Sequence, residues 1–336
     1  MRLNNAKPGM VLANDVIDER GNLLLEEGIV LTETYIRRLQ KLGIHQLAIR
    51  DPYAESLRPR DILTAELRQE VFTCFEALLT MTTKDIQAEQ HYYRRLSHAT
   101  DSIINQLEPE LPQIMDYQIR CLQPGAIHHA VNVCLLSVIT GLYLKLPRPV
   151  LHDLAMGALL HDIGRSSIAV PANAPGQDKL HPLRGQKLLQ QCGMSDIIAR
   201  IAAEHHEHYD GSGFPAGLTG HTIHPLSRLV MIANDYDLSV TRAVTKGTPL
   251  HEVSESMLSL GNTRYDLNLL KAFFHTVAVY PIGCLIRLNT GQTGYVVKNR
   301  LHFPLRPTVR IIDASGYFDL NLVYRPNITI TELIEA

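Results

Sequence analysis

The sequence has no pattern of paired thiols. Its five cysteines, Cys74, Cys121, Cys134, Cys192 and Cys284, are odd in number, scattered and without a C-x-x-C pair. That argues against a disulfide framework and fits a reducing cytosol. A dominant charge is missing as well: 32 basic residues balance 34 acidic ones for a formal net charge of -2. Nothing therefore pulls the chain toward a nucleic-acid polymer or a membrane surface, and an anionic partner must be caught by a local site. The longest apolar run, from Ala130 to Leu146, is interrupted by Asn132, Ser137, Thr140 and Lys145. It falls short of a membrane span and reads as a buried helix. The opening MRLNNAKPGMVLANDVIDERGN lacks the basic-then-apolar order of a signal peptide. No internal repeat or low-complexity segment is visible.

What remains is an ordinary globular composition, 45% hydrophobic and 20% charged over 336 residues, enough for two or three domains. Histidine is the unusual component. Of 16 histidines, ten lie between His128 and His224, which localises the chemistry.

Turn residues and hydrophobic periodicity divide the chain into four parts. Residues 1–60 read as a small α+β unit, with strand-like MVLANDVI and LLLEEGIVL around the turn Asp18 to Asn22, a helix from Glu33 to Leu42 stopped by Gly43, and a closing strand IHQLAIR. Its role is that of an adaptor or sensor, or plainly structural. Residues 61–124 read as a helical linker ending at Pro109 and Pro112. Residues 125–280 carry successive helices, Ile127 to Leu144, Pro149 to Asp162, Pro182 to Gln191, Ser195 to His208, Pro225 to Val244 and Leu250 to Leu260. Residues 281–336 form a short β appendage from CLIRL, TGYVVK, TVRIID and DLNLVY. The fold class is mainly α.

In the helix from Ser195, Ile197, Ile201 and His205 are four apart, so His205 continues the core-facing stripe. Alone, His205-His206 fits a hydrogen-bonded core pair better than a metal site. His161-Asp162 ends an apolar helix, and side chains about 100° apart suit two adjacent ions with Asp162 between them. Asp235 follows the apolar LVMIA run, where it either meets a cation or faces a solvent groove. His129 opens another apolar helix, and His181 sits just before Pro182. Together these are five histidines and two aspartates without a thiolate. Such a donor set suits Fe, Mn or Zn in an open two-metal arrangement.

The order His129, His161-Asp162-Ile163-Gly164, His181-Pro182, His205-His206-Glu207, Asp210-Gly211-Ser212-Gly213-Phe214-Pro215, Asp235 resembles the HD-GYP branch of the HD metal-dependent phosphohydrolases. The resemblance implies an HD-type helical bundle and a cyclic di-GMP phosphodiesterase giving linear pGpG and GMP. It also implies two divalent metal ions, Fe or Mn with Zn also accepted. His129, His161, Asp162, His181, His205, His206 and Asp235 would be their ligands, with Asp162 bridging. Glu207 would orient a histidine rather than bind an ion. Some members use a glutamate four residues before the first histidine for a third ion; Gly125 stands there, so two ions are expected.

Several positions depart from the family pattern. Arg165 replaces a lysine and, because a guanidinium holds its proton tightly, is a poor proton donor to a leaving oxygen. Phe214 replaces a tyrosine, and Ala174-Pro175-Gly176 replaces a lysine-proline-glycine piece. An arginine-rich stretch after the last aspartate is reduced to Arg242 and Lys246, which are candidate phosphate contacts or a solvated helix end. Asp162 and Arg165 are the expected catalytic residues. The rivals to hydrolysis of cyclic di-GMP are a weakly active sensor that binds the dinucleotide or a partner protein, and an HD hydrolase acting on another cyclic nucleotide. A homodimer or a signalling-protein partner is left open.

Overall fold

The computed structural model describes the chain apart from residues 1–2, 4–5, 18–22, 45–46, 48, 50–56, 58–59, 81–85, 119–124, 166–178, 314–315 and 336. Cys121, the turn Asp18 to Asn22 and Ala174-Pro175-Gly176 thus lie outside the described residues. In chain order the elements are β1 (Val16–Ile17), β2 (Leu23–Leu25), α1 (Glu33–Lys41), β3 (Arg60–Asp61), α2 (Ala65–Thr80), α3 (Ile86–Glu110) and β4 (Tyr117–Gln118). Then come α4 (Ala126–Tyr143), α5 (Arg148–Leu160), α6 (His181–Gln191), α7 (Asp196–Glu204), α8 (Pro225–Lys246), α9 (Leu250–Ser259) and α10 (Leu267–Thr276). Five strands follow: β5 (Leu285–Leu288), β6 (Thr293–Lys298), β7 (Thr308–Asp313), β8 (Gly316–Asn321) and β9 (Ile330–Glu335).

Packing divides the chain into one unit of residues 1–59, 281–298 and 307–336, and a second of residues 60–280 and 299–306. In the first, α1 begins where the Thr32 hydroxyl accepts from the Tyr35 amide, a normal N-cap. It buries Ile36 and Leu39 with Leu3, Leu12, Val16, Leu31 and Leu47. Strands β5 to β9 form an antiparallel sheet in the order β8-β7-β6-β5-β9. The expected strand at DLNLVY starts earlier, at Gly316, and its last residues turn into a 3-10 helix at Leu322–Tyr324. Strand β9 was not legible in the sequence.

The second unit is helical. Helix α4 is buried at every position from Ala130 to Leu142, because it packs on α5, α8, α10 and α3. A helix that is apolar all round requires such surroundings. By length and composition alone α4 would also pass for a membrane span, and most of it is buried here within the protein. Helices α2 and α3, read from composition as a linker, pack in this unit, with α3 along α5. Helix α10, which the sequence reading passed over, starts where Asp266 accepts from the Asn268 and Leu269 amides.

Candidate metal centre

Two helix ends aim histidines at a common point. Helix α7 stops at Glu204, four residues before the expected end, and His205 is its cap. The His205 Nδ1 donates to the Ala202 carbonyl at 2.9 Å. His161 caps α5 in the same way, with Nδ1 donating to the Ala158 carbonyl at 2.8 Å. Terminal carbonyls of a helix have no intrahelical partner, so each ring satisfies one. The carbonyl fixes the tautomer: Nδ1 carries the proton and Nε2 presents a lone pair.

Asp162 and His181 are brought together by backbone contact. A Cβ at Gly164 would lie 2.0 Å from the His181 carbonyl oxygen and 2.6 Å from the Gly185 amide nitrogen. Only glycine lets the turn after Asp162 approach α6 so closely. His181 Nε2 then lies 3.1 Å from Asp162 Oδ1 and 3.2 Å from His205 Nε2, and His205 Nε2 is 3.5 Å from the same oxygen. For donors about 2.1 Å from a cation, neighbouring ligands are roughly 3.0 to 3.5 Å apart. These separations match the edges of such a coordination polyhedron.

His206 completes this group. Its ring stacks on Phe214, with centroids 4.6 Å apart, and lies 4.1 Å from the His205 ring. Gly213 permits the stack by passing its Cα face over the His206 carbonyl, where a Cβ would come within 2.5 Å. Ligand atoms of Asp162, His181, His205 and His206 all fall within 4.8 Å of one another, as do those of His129, His161 and Asp162. Asp162 belongs to both groups.

The residues fit cations. The Nε2 atoms of His161 and His206 are buried without a hydrogen-bond partner, and a buried lone pair left unpaired is costly unless something binds it. Burial lowers the His161 pKa to about 3, outweighing the nearby Asp162 charge. Burial, then His205 and His181, lowers that of His206 to about 2. Burial would raise the Asp162 pKa, but His161, His181 and His205 hold it well below the ordinary value. Neutral His161 and His206 rings beside an ionised Asp162 are in the protonation states a metal ion needs.

A pH dependence follows for the metal-free chain. His161 has a folded pKa of about 3 against an ordinary 6.5, so below 6.5 the unfolded chain takes up protons that the folded one refuses. Stability is then lost as pH falls from 6.5 toward 3. Asp162 acts in the same direction below the carboxylate range. Denaturant midpoints of chelator-treated protein should fall steadily from pH 7 to pH 5; a flat profile would count against the buried neutral rings.

Asp235 is the correction among the seven expected ligands. It is not brought to either donor group. Its Oδ2 accepts from Arg264 Nε at 2.8 Å and from the Tyr265 hydroxyl at 3.1 Å. The preceding residue points inward instead: Asn234 Oδ1 lies 3.0 Å from His129 Nε2. Asp237 binds His129 Nδ1 at 2.8 Å and accepts from Asn132 Nδ2 at 3.0 Å, so it orients the ring. Residues 234 and 237 are three apart on α8 and share a face, a signal that could have marked this pair.

The remaining expectations divide. Arg165 does reach the cluster: its Nε donates to Asp162 Oδ1 at 2.9 Å, and its side chain is 44% exposed. Arg242 and Lys246 are exposed and, at 1.5 Å per residue, lie roughly 12 and 18 Å along α8 from Asn234. The structure does not bring them to the ion-facing atoms. Glu207 was expected to orient a histidine, but its carboxylate accepts from the Ala216 amide at 2.6 Å and the Leu218 amide at 2.9 Å. It therefore holds the loop that presents Phe214. Glu207→Ala should cost about 2 kcal/mol, the scale of hydrogen bonds to a charged group. Denaturant unfolding and amide exchange at Ala216 and Leu218 would measure that loss.

Comparison with known proteins gives this geometry a setting. Residues 119–269 match the HD domain family, and residues 285–330 match the KOW domain associated with the HD domain. Cyclic di-GMP phosphodiesterase PA4108 of Pseudomonas aeruginosa is 31% identical over 194 residues, 54% of this chain and 47% of that relative. Cyclic di-GMP phosphodiesterase PdeB of Borreliella burgdorferi is 24% identical over 204 residues, 56% and 53% of the two chains. The chain thus spans about half the length of these curated relatives. Among solved structures, Bd1817, a HDG"Y"P protein from Bdellovibrio bacteriovorus, superposes with a TM-score of 0.47 at 20% identity, covering 81% of this chain and 97% of that one. The match over the helical core, which contains every gathered histidine, is to the HD domain family, and the relatives similar to it are named cyclic di-GMP phosphodiesterases.

Proposed function

We propose that this chain is a metal-dependent phosphodiesterase that hydrolyses cyclic di-GMP to linear pGpG, and further to GMP, in the cytoplasm. The observation that carries the reading is the convergence of buried, unpartnered imidazole nitrogens around Asp162. Two divalent ions of Fe or Mn, held by His129, His161, Asp162, His181, His205 and His206, would supply an activated water and neutralise a phosphodiester in line with it. The protein supplies the rest. His161 and His205, locked by backbone carbonyls, keep their lone pairs facing inward. Arg165 offers a planar fork to a phosphate oxygen beside Asp162. Arg242 and Lys246 are read as contacts for the distal half of a dinucleotide.

One observation favours a second reading, dinucleotide binding with slow turnover. The Arg165 guanidinium engages the shared carboxylate, and an arginine is a poor proton donor to the departing oxygen. The deciding experiment loads purified protein with Mn2+, adds cyclic di-GMP and follows products by chromatography. Formation of pGpG supports the enzyme. Tight binding without product supports the sensor, alone or with a protein partner, and selective cleavage of another cyclic dinucleotide moves the substrate assignment. Arg165→Lys is expected to raise kcat severalfold, about 10-fold if proton donation limits the rate; an unchanged kcat would clear Arg165 of that role.

A further inference from the structure

The two donor groups differ in charge. The first offers one carboxylate and three imidazoles, from Asp162, His181, His205 and His206. The second must share that carboxylate and adds only His129 and His161. The oxygen that faces His129 Nε2 is neutral, the Asn234 carboxamide at 3.0 Å. The neighbouring acids do not make up the difference. Asp235 Oδ2 is taken by Arg264 and Tyr265, and Asp237 is taken by His129 Nδ1 and Asn132.

The carboxamide is nevertheless oriented as a donor. Asn234 Nδ2 donates to Asp235 Oδ1 at 3.4 Å, which turns Oδ1 toward His129. In the neutral ring with its proton on Nδ1 facing Asp237, His129 Nε2 and Asn234 Oδ1 are two acceptors face to face. A cation between them relieves that opposition. Arg165 Nε donates to Asp162 Oδ1, the oxygen that faces His181 and His205, and its charge lowers what the carboxylate can give to either ion.

We propose that the centre holds one ion firmly, in the His181 half, and a second only loosely, in the His129 half, with the Asn234 carboxamide as its weak oxygen donor. The proposal rests on the metal-centre reading above and refines it. Divalent cations bind more tightly as anionic ligands are added, and the His129 half has no anion of its own. Occupancy of the second position then follows free metal concentration, making the full centre a state that metal supply can switch on.

The test counts metal rather than activity. Protein loaded with excess Mn2+ and then desalted should retain about one Mn2+ per chain, with a second appearing only at roughly 10- to 100-fold higher free Mn2+. Asn234→Asp should retain about two after the same desalting and give the electron-paramagnetic signature of a coupled pair. His206→Ala should empty the firmly held position, whereas His129→Ala should leave it filled. Retention of two ions by the unaltered chain, a count unchanged by Asn234→Asp in folded protein, or the reverse pattern in the two histidine variants would overturn the inequality. Retention of none would instead overturn the metal-centre reading itself.

Discussion

Asp162→Ala is expected to remove metal retention altogether and to lower any phosphodiesterase activity by on the order of 10^4-fold, the scale for losing a member of a catalytic unit. The reason is its place in both donor groups. Every other gathered ligand belongs to one group, so its loss leaves the opposite half with an anion. Removing Asp162 leaves imidazoles and a carboxamide with no anion among them, beside the Arg165 cation, and such a set holds a divalent ion far more weakly. The fold should survive. The Asp162 side chain is 26% exposed, and its replacement relieves the desolvation that opposes its charge. Elemental analysis of desalted protein, circular dichroism and turnover of cyclic di-GMP would check the three parts separately. A folded Asp162→Ala protein that still carried metal would end the reading of this residue as the shared ligand.

Gly164→Ala should be nearly as damaging by a different route. The new methyl would sit 2.0 Å from the His181 carbonyl oxygen and 2.6 Å from the Gly185 nitrogen. Both obstacles are backbone, so no rotamer change can clear them. Either α6 slides away or the turn after Asp162 buckles, at about 1–3 kcal/mol for overpacking. Both moves separate Asp162 Oδ1 from His181 Nε2, now 3.1 Å apart, and a displacement of about 1 Å at such a site costs on the order of 100-fold in function. A lowered Tm, together with Mn2+ affinity weakened about 100-fold, is the expected pair of results. Normal metal affinity in Gly164→Ala would mean that the approach of α6 is not what positions His181.

Six of the seven expected ligands are gathered, and the reason lies in local pattern. His205 extends an apolar stripe, His161 ends an apolar helix, and the HHE–DGSGFP block leaves little freedom in register. The seventh failed because α8 gives no phase. Its residues from Leu226 to Asp237 are all buried, so an apolar stripe cannot say whether residue 234, 235 or 237 faces the histidines. Charge favoured Asp235 in the sequence. The partners that claim it, Arg264 and Tyr265, lie about 30 residues further on and only tertiary contact reveals them. Helix α7 ended early for a related reason: the carbonyls of its last turn are bonded by His205 and the chain beyond, a contest that periodicity does not register. Strand β9 is set by pairing with β5, which no local signal announces.

The helical unit is interrupted in the chain by the residues from 281 to 298 and resumes at 299–306. Asn299 Nδ2 donates to the Met115 and Tyr280 carbonyls, its amide to Asp116, and the His302 amide to the His275 carbonyl. During synthesis the Met115, Tyr280 and His275 carbonyls gain these partners only from a segment made after β5 and β6. An mRNA cut short at residue 280 would therefore yield a helical unit that lacks these bonds at residues 115, 116, 275 and 280.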